Sequence, residues 1–267
     1  MSSIIDAVRN ATAIDLGQPY FPGMPHHPAH PPFLFGMTKK HGDFVTEGGV
    51  SSAADSLSLG SHVGTHLDAL CHFSCAGKMY GGIDVKPIQN DTSGIQRYSI
   101  DSIPPILRRG VFLDVAAHLN MEALPVDFAI TLDHLESIVK AQKLTIGKGD
   151  VVLLRTGWAR FWSNAARYIS GGSGTVAAGP GPELEGARWL SRKGVFAAGS
   201  DTVAFERVPA AEMPVHVHLL VESGIHIIEA LNLEELSRRR LFEFAFVATP
   251  LKIRGATGSP IRPLALA

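Results

Sequence analysis

Eleven consecutive residues, His62-Val-Gly-Thr-His66-Leu-Asp68-Ala-Leu-Cys-His72, carry three imidazoles and a carboxylate among side chains that are otherwise small or apolar. Imidazole together with carboxylate suits borderline divalent ions such as Zn²⁺, Mn²⁺ or Fe²⁺, and three such ligands leave coordination positions open for water and substrate. His62 and His66 are four apart, which sets them on one side of a strand or a helix, and the Gly64-Thr65 pair between them predicts a bend. Asp68 follows His66 by two and shares its face where the backbone is extended. Water bound by Zn²⁺ in such an N₂O set loses its proton near neutral pH, so the cluster predicts a metalloenzyme. One histidine alone would read as a hydrogen-bonded residue near a polar turn; three with an aspartate read as a metal site.

Rigid elements must present these groups. The alternation Ser56-Leu-Ser-Leu59 predicts a half-buried strand that delivers the histidine motif at its end. Short β-branched or aromatic runs bounded by turn residues predict further strands at 110–116, 150–156, 194–199, 224–230 and 242–248. Helices are predicted at 133–141, at 182–192 ending at Gly194, and at 233–239, where Asn232 and Glu235 have capping-box spacing. Residues 17–36 hold six prolines and form no regular helix, while 171–182 reads as a long surface loop. The expectation is an α/β fold, a single domain over residues 1–267, with a large mixed β-sheet or barrel-like β core flanked by a few helices.

The 24 lysines and arginines against 25 aspartates and glutamates leave a formal charge of -1, so no basic field draws nucleic acid or anionic lipid. A small-molecule partner is expected, with no nucleic acid and no membrane. The first ten residues carry an acid and a base and no small-residue cleavage site, and no apolar run reaches transmembrane length. Cys71 and Cys75 are spaced as two thiols on a helical turn rather than as a stapling framework, and both read as packing filler. A reduced, cytoplasmic setting follows.

The motif His-x-Gly-Thr-His-x-Asp-x-x-x-His resembles the signature of the cyclase family, the metal-dependent hydrolases that include bacterial kynurenine formamidase and isatin hydrolase. Gln18-Pro-Tyr-Phe-Pro-Gly23 resembles that family's Pro-Gly substrate loop, and Gly149-Asp-Val-Val-Leu-Leu-Arg-Thr-Gly-Trp158 its central strand. Gly199-Ser-Asp-Thr202 and Ile227-Ile-Glu-Ala-Leu-Asn-Leu233 resemble later segments, so the likeness runs over roughly residues 13–253.

The resemblance implies a swivelling β/β/α fold, a homo-oligomer, and His62, His66 and Asp68 as ligands of a first metal. It implies His72 as proton acceptor and donor, a role that a free imidazole of near-neutral pKa can fill; the alternative is a supporting group beside the ligands. Where two ions are held, Asp68 bridges them, Glu229 matches the distal glutamate, and His216 is preferred over His218 as distal histidine. Phe21 stands where formamidases stack an aromatic on substrate, with Phe in place of Trp, and Met24 stands where they carry Asp. His26, His27, His30, His118, His134 and His226 read as surface or packing residues.

The implied chemistry is hydrolysis of a carbon–nitrogen amide bond, of aryl formamide or cyclic amide type, by water activated on one or two Zn²⁺ or Mn²⁺ ions. Lactone or ester hydrolysis and polyketide-type cyclisation could use the same groups. A non-haem iron oxygenase would use His66, Asp68 and a distant His as a facial triad, leaving His62 and His72 without a task. A metal-stabilised protein without turnover fits less well, because structural sites are closed.

Overall fold

The run Val151-Val-Leu-Leu154 shows no polar alternation and forms a strand buried throughout, as a strand covered on both faces must. It lies within a computed structural model that describes residues 4–172 and 176–267. The strands of three or more residues are, in chain order, β1 Ala13–Asp15, β2 Leu34–Lys39, β3 Ala54–Ser58, β4 His66–Asp68, β5 Ile106–Asp114 and β6 Val151–Arg155. Then follow β7 Ala197–Ser200, β8 His226–Glu229, β9 Glu243–Ala248, β10 Gly258–Pro260 and β11 Leu264–Leu266. Nine of them make one mixed sheet in the order β1-β11-β9-β5-β6-β7-β8-β4-β10, curled into a half-barrel. The central four, β5 to β8, are parallel, and every pairing outside them is antiparallel.

Alternate residues of each central strand enter two separate cores. Val151 and Leu153 join Phe112, Ala197, Ile228, Leu67 and Phe246 on one side. Val152 and Leu154 join Val111, Leu113, Ala198 and Ile227 on the other, where helices cover the sheet. Each fully buried side chain of this size stabilises the fold by roughly 1.5–3 kcal/mol, so the sheet is a stiff platform for groups at its strand ends.

The expected mixed α/β architecture is present, and the predicted strands at 110–116, 150–156, 194–199, 224–230 and 242–248 correspond to β5 to β9. Helices form at Leu132–Gln142 and Leu184–Lys193, close to expectation. The third, Glu234–Arg239, lacks the predicted capping box: its N-cap is Leu233, Asn232 accepts only from the Glu234 N–H at 3.4 Å, and Glu235 pairs with Arg238 and Arg239. The box that does form is Thr131 with His134 at the start of Leu132–Gln142.

Three other expectations are corrected. The Ser56–Leu59 strand exists as β3, but it pairs with β2 in a two-stranded ribbon and is exposed along its length instead of half-buried. Alternation gives a ribbon an apolar face without supplying anything to cover it. The cysteines occupy no helical turn: Cys71 is buried core filler, whereas Cys75 is exposed, so the packing role fails for Cys75. In the loop 171–182, Ala177 and residues 179–182 are buried, and Gly181–Pro182 pairs in a short ladder, so its second half is not a surface loop. Residues 173–175 of that loop, and residues 1–3 of the segment read as lacking a signal, lie outside the described residues. Among the described residues no helix is long and apolar enough to cross a membrane.

Candidate metal centre

The first ligand-type groups meet because β4 is zipped to β8 in one register, which sets His66 directly opposite Glu229. Glu229 ends β8 and is buried, at the carboxyl end of the parallel strands where α/β sheets build their sites. His62 precedes β4 across a bend at Gly64, whose φ of 69° belongs to the left-handed region. Tyr20, from the proline-rich loop, donates its hydroxyl to the Val63 carbonyl at 2.8 Å and so clamps that bend.

His66 Nδ1–H donates to the Gly64 carbonyl at 2.8 Å, because a carbonyl can only accept. The neutral ring therefore aims the lone pair of Nε2 inward, where Asp68 Oδ1 lies at 3.5 Å and Glu229 Oε2 at 3.4 Å. His66 Nε2 and Asp68 Oδ2 are both buried without a hydrogen-bond partner. On the other side of Glu229, His216 Nδ1–H donates to Glu206 at 2.6 Å, which turns its Nε2 onto Glu229 Oε1 at 3.1 Å. His62 Nδ1 lies 2.7 Å from Asp68 Oδ1 and its Nε2 2.8 Å from the Thr257 hydroxyl.

Buried lone pairs that face one another are costly unless a cation or a proton stands between them. The titration of the cluster expresses that need. Burial opposes the charge on Asp68, yet His72, His62 and His66 outweigh it and hold the carboxyl well below its usual range. Burial also opposes ionisation of Glu229, and the imidazoles of His216 and His66 beside it override that and lower its pKa. For His66 and His216 the neighbouring carboxylates, Glu229 at both and Glu206 at His216, overcome burial and raise the imidazole pKa. The residues fit a divalent ion: His66, Asp68 and Glu229 form one potential ligand set, and His62, Asp68 and His72 another, each with ligand atoms within 4.8 Å of one another.

His72 stacks on His62 with ring centroids 3.7 Å apart. Burial drives its pKa down to about 3 against the pull of Asp68, so the ring is neutral and its basicity lies below the near-neutral value expected of a proton carrier. His218 does not share a face with His216. The two lie on consecutive helical turns, Pro214–His216 and the π-helix Val217–Ser223, where a two-residue offset reverses direction, and His218 meets Glu222 and Ser191 instead.

Beside the cluster a small cavity of about 10 Å³, room for one water, is lined by residues that include His26, His27, His62, His66, Trp162 and Tyr168. Phe21 does not line it; the ring is half-buried and packs against the aromatic cluster of Phe33, Trp158, Trp162 and Tyr168. Three histidines read as surface or packing lie here instead. His26 and His27 line the cavity, and His30 stacks on His62 at 5.0 Å between centroids. Their proline-rich loop folds over the site, which spacing along the chain does not reveal. His118 and His134 are remote, bonding Ser137 and capping a helix, and His226 is buried, its Nδ1–H donating to the Asp68 carbonyl at 2.9 Å. Glu206, Thr257, Trp162 and Tyr168 also belong to the site and carried no sequence signal.

The Cyclase family model matches residues 14–207. Isatin hydrolase of Roseibium aggregatum is 29% identical over 212 residues, covering 78% of this chain and 72% of the relative. Kynurenine formamidase of Bacillus cytotoxicus is 24% identical over 256 residues, covering 94% and 95%. A crystal structure described as a novel cyclase superposes with a TM-score of 0.88 at 26% identity, covering 98% of this chain and 90% of the other.

Proposed function

The chain belongs to the Cyclase family, and from that premise we propose that it is a metal-dependent hydrolase of non-peptide carbon–nitrogen amide bonds, acting on a small aryl formamide or cyclic amide. The observation that carries the reading is the buried convergence of His66 Nε2 with the oxygens of Asp68 and Glu229. The names of the relatives support the bond type, since isatin is a cyclic amide and the formamidase cleaves a formamide.

His62, His66 and Asp68 would hold one ion, and His216 and Glu229 with a shared Asp68 a second; the donor set suits Zn²⁺ or Mn²⁺. When bound, such an ion acidifies water and polarises a carbonyl. The chain's own residues do the rest. His72, neutral and stacked beside Asp68's partner His62, takes a proton from the attacking water as the C–O bond forms. It returns that proton to the departing nitrogen as the C–N bond breaks, giving a carboxylic acid and an amine. Glu206 fixes the tautomer of His216, and the Gly64 carbonyl that of His66. Trp162 and Tyr168 wall the cavity and limit bulk water. An oxygenase triad would leave His62 and His72 idle despite their places in the cluster.

The reading extends to a homo-oligomer in a reduced, cytoplasmic setting, supported by the exposed apolar ribbon and the two free cysteines. A panel of N-formylanilines, cyclic amides and lactones tests the chemistry. Amide hydrolysis should vanish on chelation and return with Zn²⁺ or Mn²⁺; oxygen uptake on iron loading, or turnover of lactones alone, would sink the amidase reading.

A further inference from the structure

The β10 edge of the sheet reaches the cluster through a side chain that the hydrolytic steps leave without a task. Strand β10 pairs with β4 so that Gly258 lies opposite Asp68, and Thr257, just before it, comes to stand beside His62. The segment is held along its backbone. The N–H groups of Ile95, Ile100 and Ala69 donate to the carbonyls of Gly255, Ala256 and Thr257, each at 2.9 Å. A Cβ on Gly258 would lie 2.6 Å from Cε1 of His62 and 3.0 Å from each of its ring nitrogens, so the imidazole rests directly against bare backbone. Thr257 is therefore placed on His62 by a rigid strand edge and not by a free loop.

The His62 ring is buried and has one polar side chain at each nitrogen. Nδ1 faces Asp68 Oδ1 at 2.7 Å, and Nε2 faces the Thr257 hydroxyl at 2.8 Å. A neutral imidazole offers a metal one lone pair, and its other nitrogen then carries a proton that needs an acceptor when buried. Nδ1 is the nitrogen on the side of Asp68, so the proton of a liganded ring falls to Nε2, where the Thr257 oxygen can accept it. Before metal binds, Nδ1–H donates to the Asp68 carboxylate, which only accepts, and the neutral ring leaves Nε2 bare for the Thr257 O–H to donate to. A hydroxyl serves both states by rotating. A carboxylate in its place could only accept, and an ammonium could only donate.

We propose that Thr257 is the positioning residue of His62: its hydroxyl accepts from Nε2–H when metal is bound, which fixes Nδ1 as the ligand atom and lets the ring change tautomer without losing its partner. The proposal rests on the metal-dependent reading of the site and is independent of the substrate. Zn²⁺ is the probe, because it is diamagnetic and leaves the histidine signals visible to NMR. In ¹⁵N-labelled wild type, Zn²⁺ should move the His62 ring proton from Nδ1 to Nε2. Thr257→Val, which keeps the branched shape and removes the hydroxyl, should weaken Zn²⁺ about 10–100-fold in competition with a chromophoric chelator, and Thr257→Ser should restore the affinity. The Nε2–H signal of the loaded Thr257→Val protein should shift upfield and exchange faster with water. A packing role alone would be met by valine and would leave that signal unmoved. Zn²⁺ held through Nε2 with the proton kept on Nδ1, an affinity that Thr257→Val leaves unchanged, or one that Thr257→Ser fails to restore would overturn the role while Zn²⁺ binding stands. A wild type that binds no Zn²⁺ overturns both the role and the metal centre. Thr257-dependent affinity in a protein that turns over no amide keeps the role and removes only the hydrolytic reading.

Discussion

Glu206 shows how one carboxylate can set the orientation of a neighbouring imidazole. Its oxygens accept from the backbone N–H and from Nδ1–H of His216, so the ring has one way to face Glu229. Glu206→Gln puts an amide N–H or a weaker acceptor against that Nδ1–H, and metal affinity should fall by about 10–100-fold, read by competition with a chromophoric chelator; unchanged affinity would show that His216 needs no such partner. At this scale the site was partly legible. His62, His66, Asp68 and His72 sit in one eleven-residue motif because a single bend and a short strand present them all. Glu206 sits in Ala-Phe-Glu-Arg with no neighbouring ligand type, and its meaning arises only where the chain folds back on His216.

The elements that hold these residues differ in how plainly they announce themselves. Strand segments buried on both faces are apolar runs, so Val111-Phe-Leu113 of β5, Val151–Leu154 of β6 and Ile227-Ile228 of β8 stand out in the sequence, and with them the strand end that offers Glu229. The helical turn of His216 is short and continues as a π-helix, too brief to leave a periodic pattern, and on it His218 turns away to Glu222 and Ser191. The bend before β4 is the mechanical link between His62 and His66. A Cβ at Gly64 would lie 2.3 Å from the Tyr20 ring, and its φ of 69° is unfavourable for any L side chain. Gly64→Ala should therefore cost roughly 1–3 kcal/mol in denaturant unfolding and weaken metal retention together, since one displacement causes both. Lost stability with intact metal affinity would mean the bend does not position the ligands.

The whole molecule carries one feature that an isolated chain leaves unexplained. The β2–β3 ribbon and its connection expose Leu34 at 59%, Leu57 at 60%, Phe44 at 67% and Val50 at 67%, and an isolated two-stranded ribbon is marginal in water. A second copy of the chain is the expected cover. Light scattering should give a multiple of 28.5 kDa, shifting toward the single-chain mass in Leu34→Lys/Leu57→Lys with the circular dichroism unchanged; a wild-type monomer at every concentration would contradict it. The curled nine-stranded sheet, and the return of the proline-rich loop over the cavity, also belong to this scale, because they depend on contacts between residues far apart in sequence. The division of labour in the motif is the central claim, and the metal content of His72→Ala beside the wild type and Asp68→Asn tests it most directly. Elemental analysis should find one or two Zn²⁺ or Mn²⁺ ions per chain in the wild type and in His72→Ala, whose amide turnover falls about 10²–10⁴-fold, with the ions lost from Asp68→Asn. If His72→Ala loses its metal, His72 is a ligand and not the proton carrier, and a wild type that binds no divalent ion even after supplementation would contradict the metal centre itself.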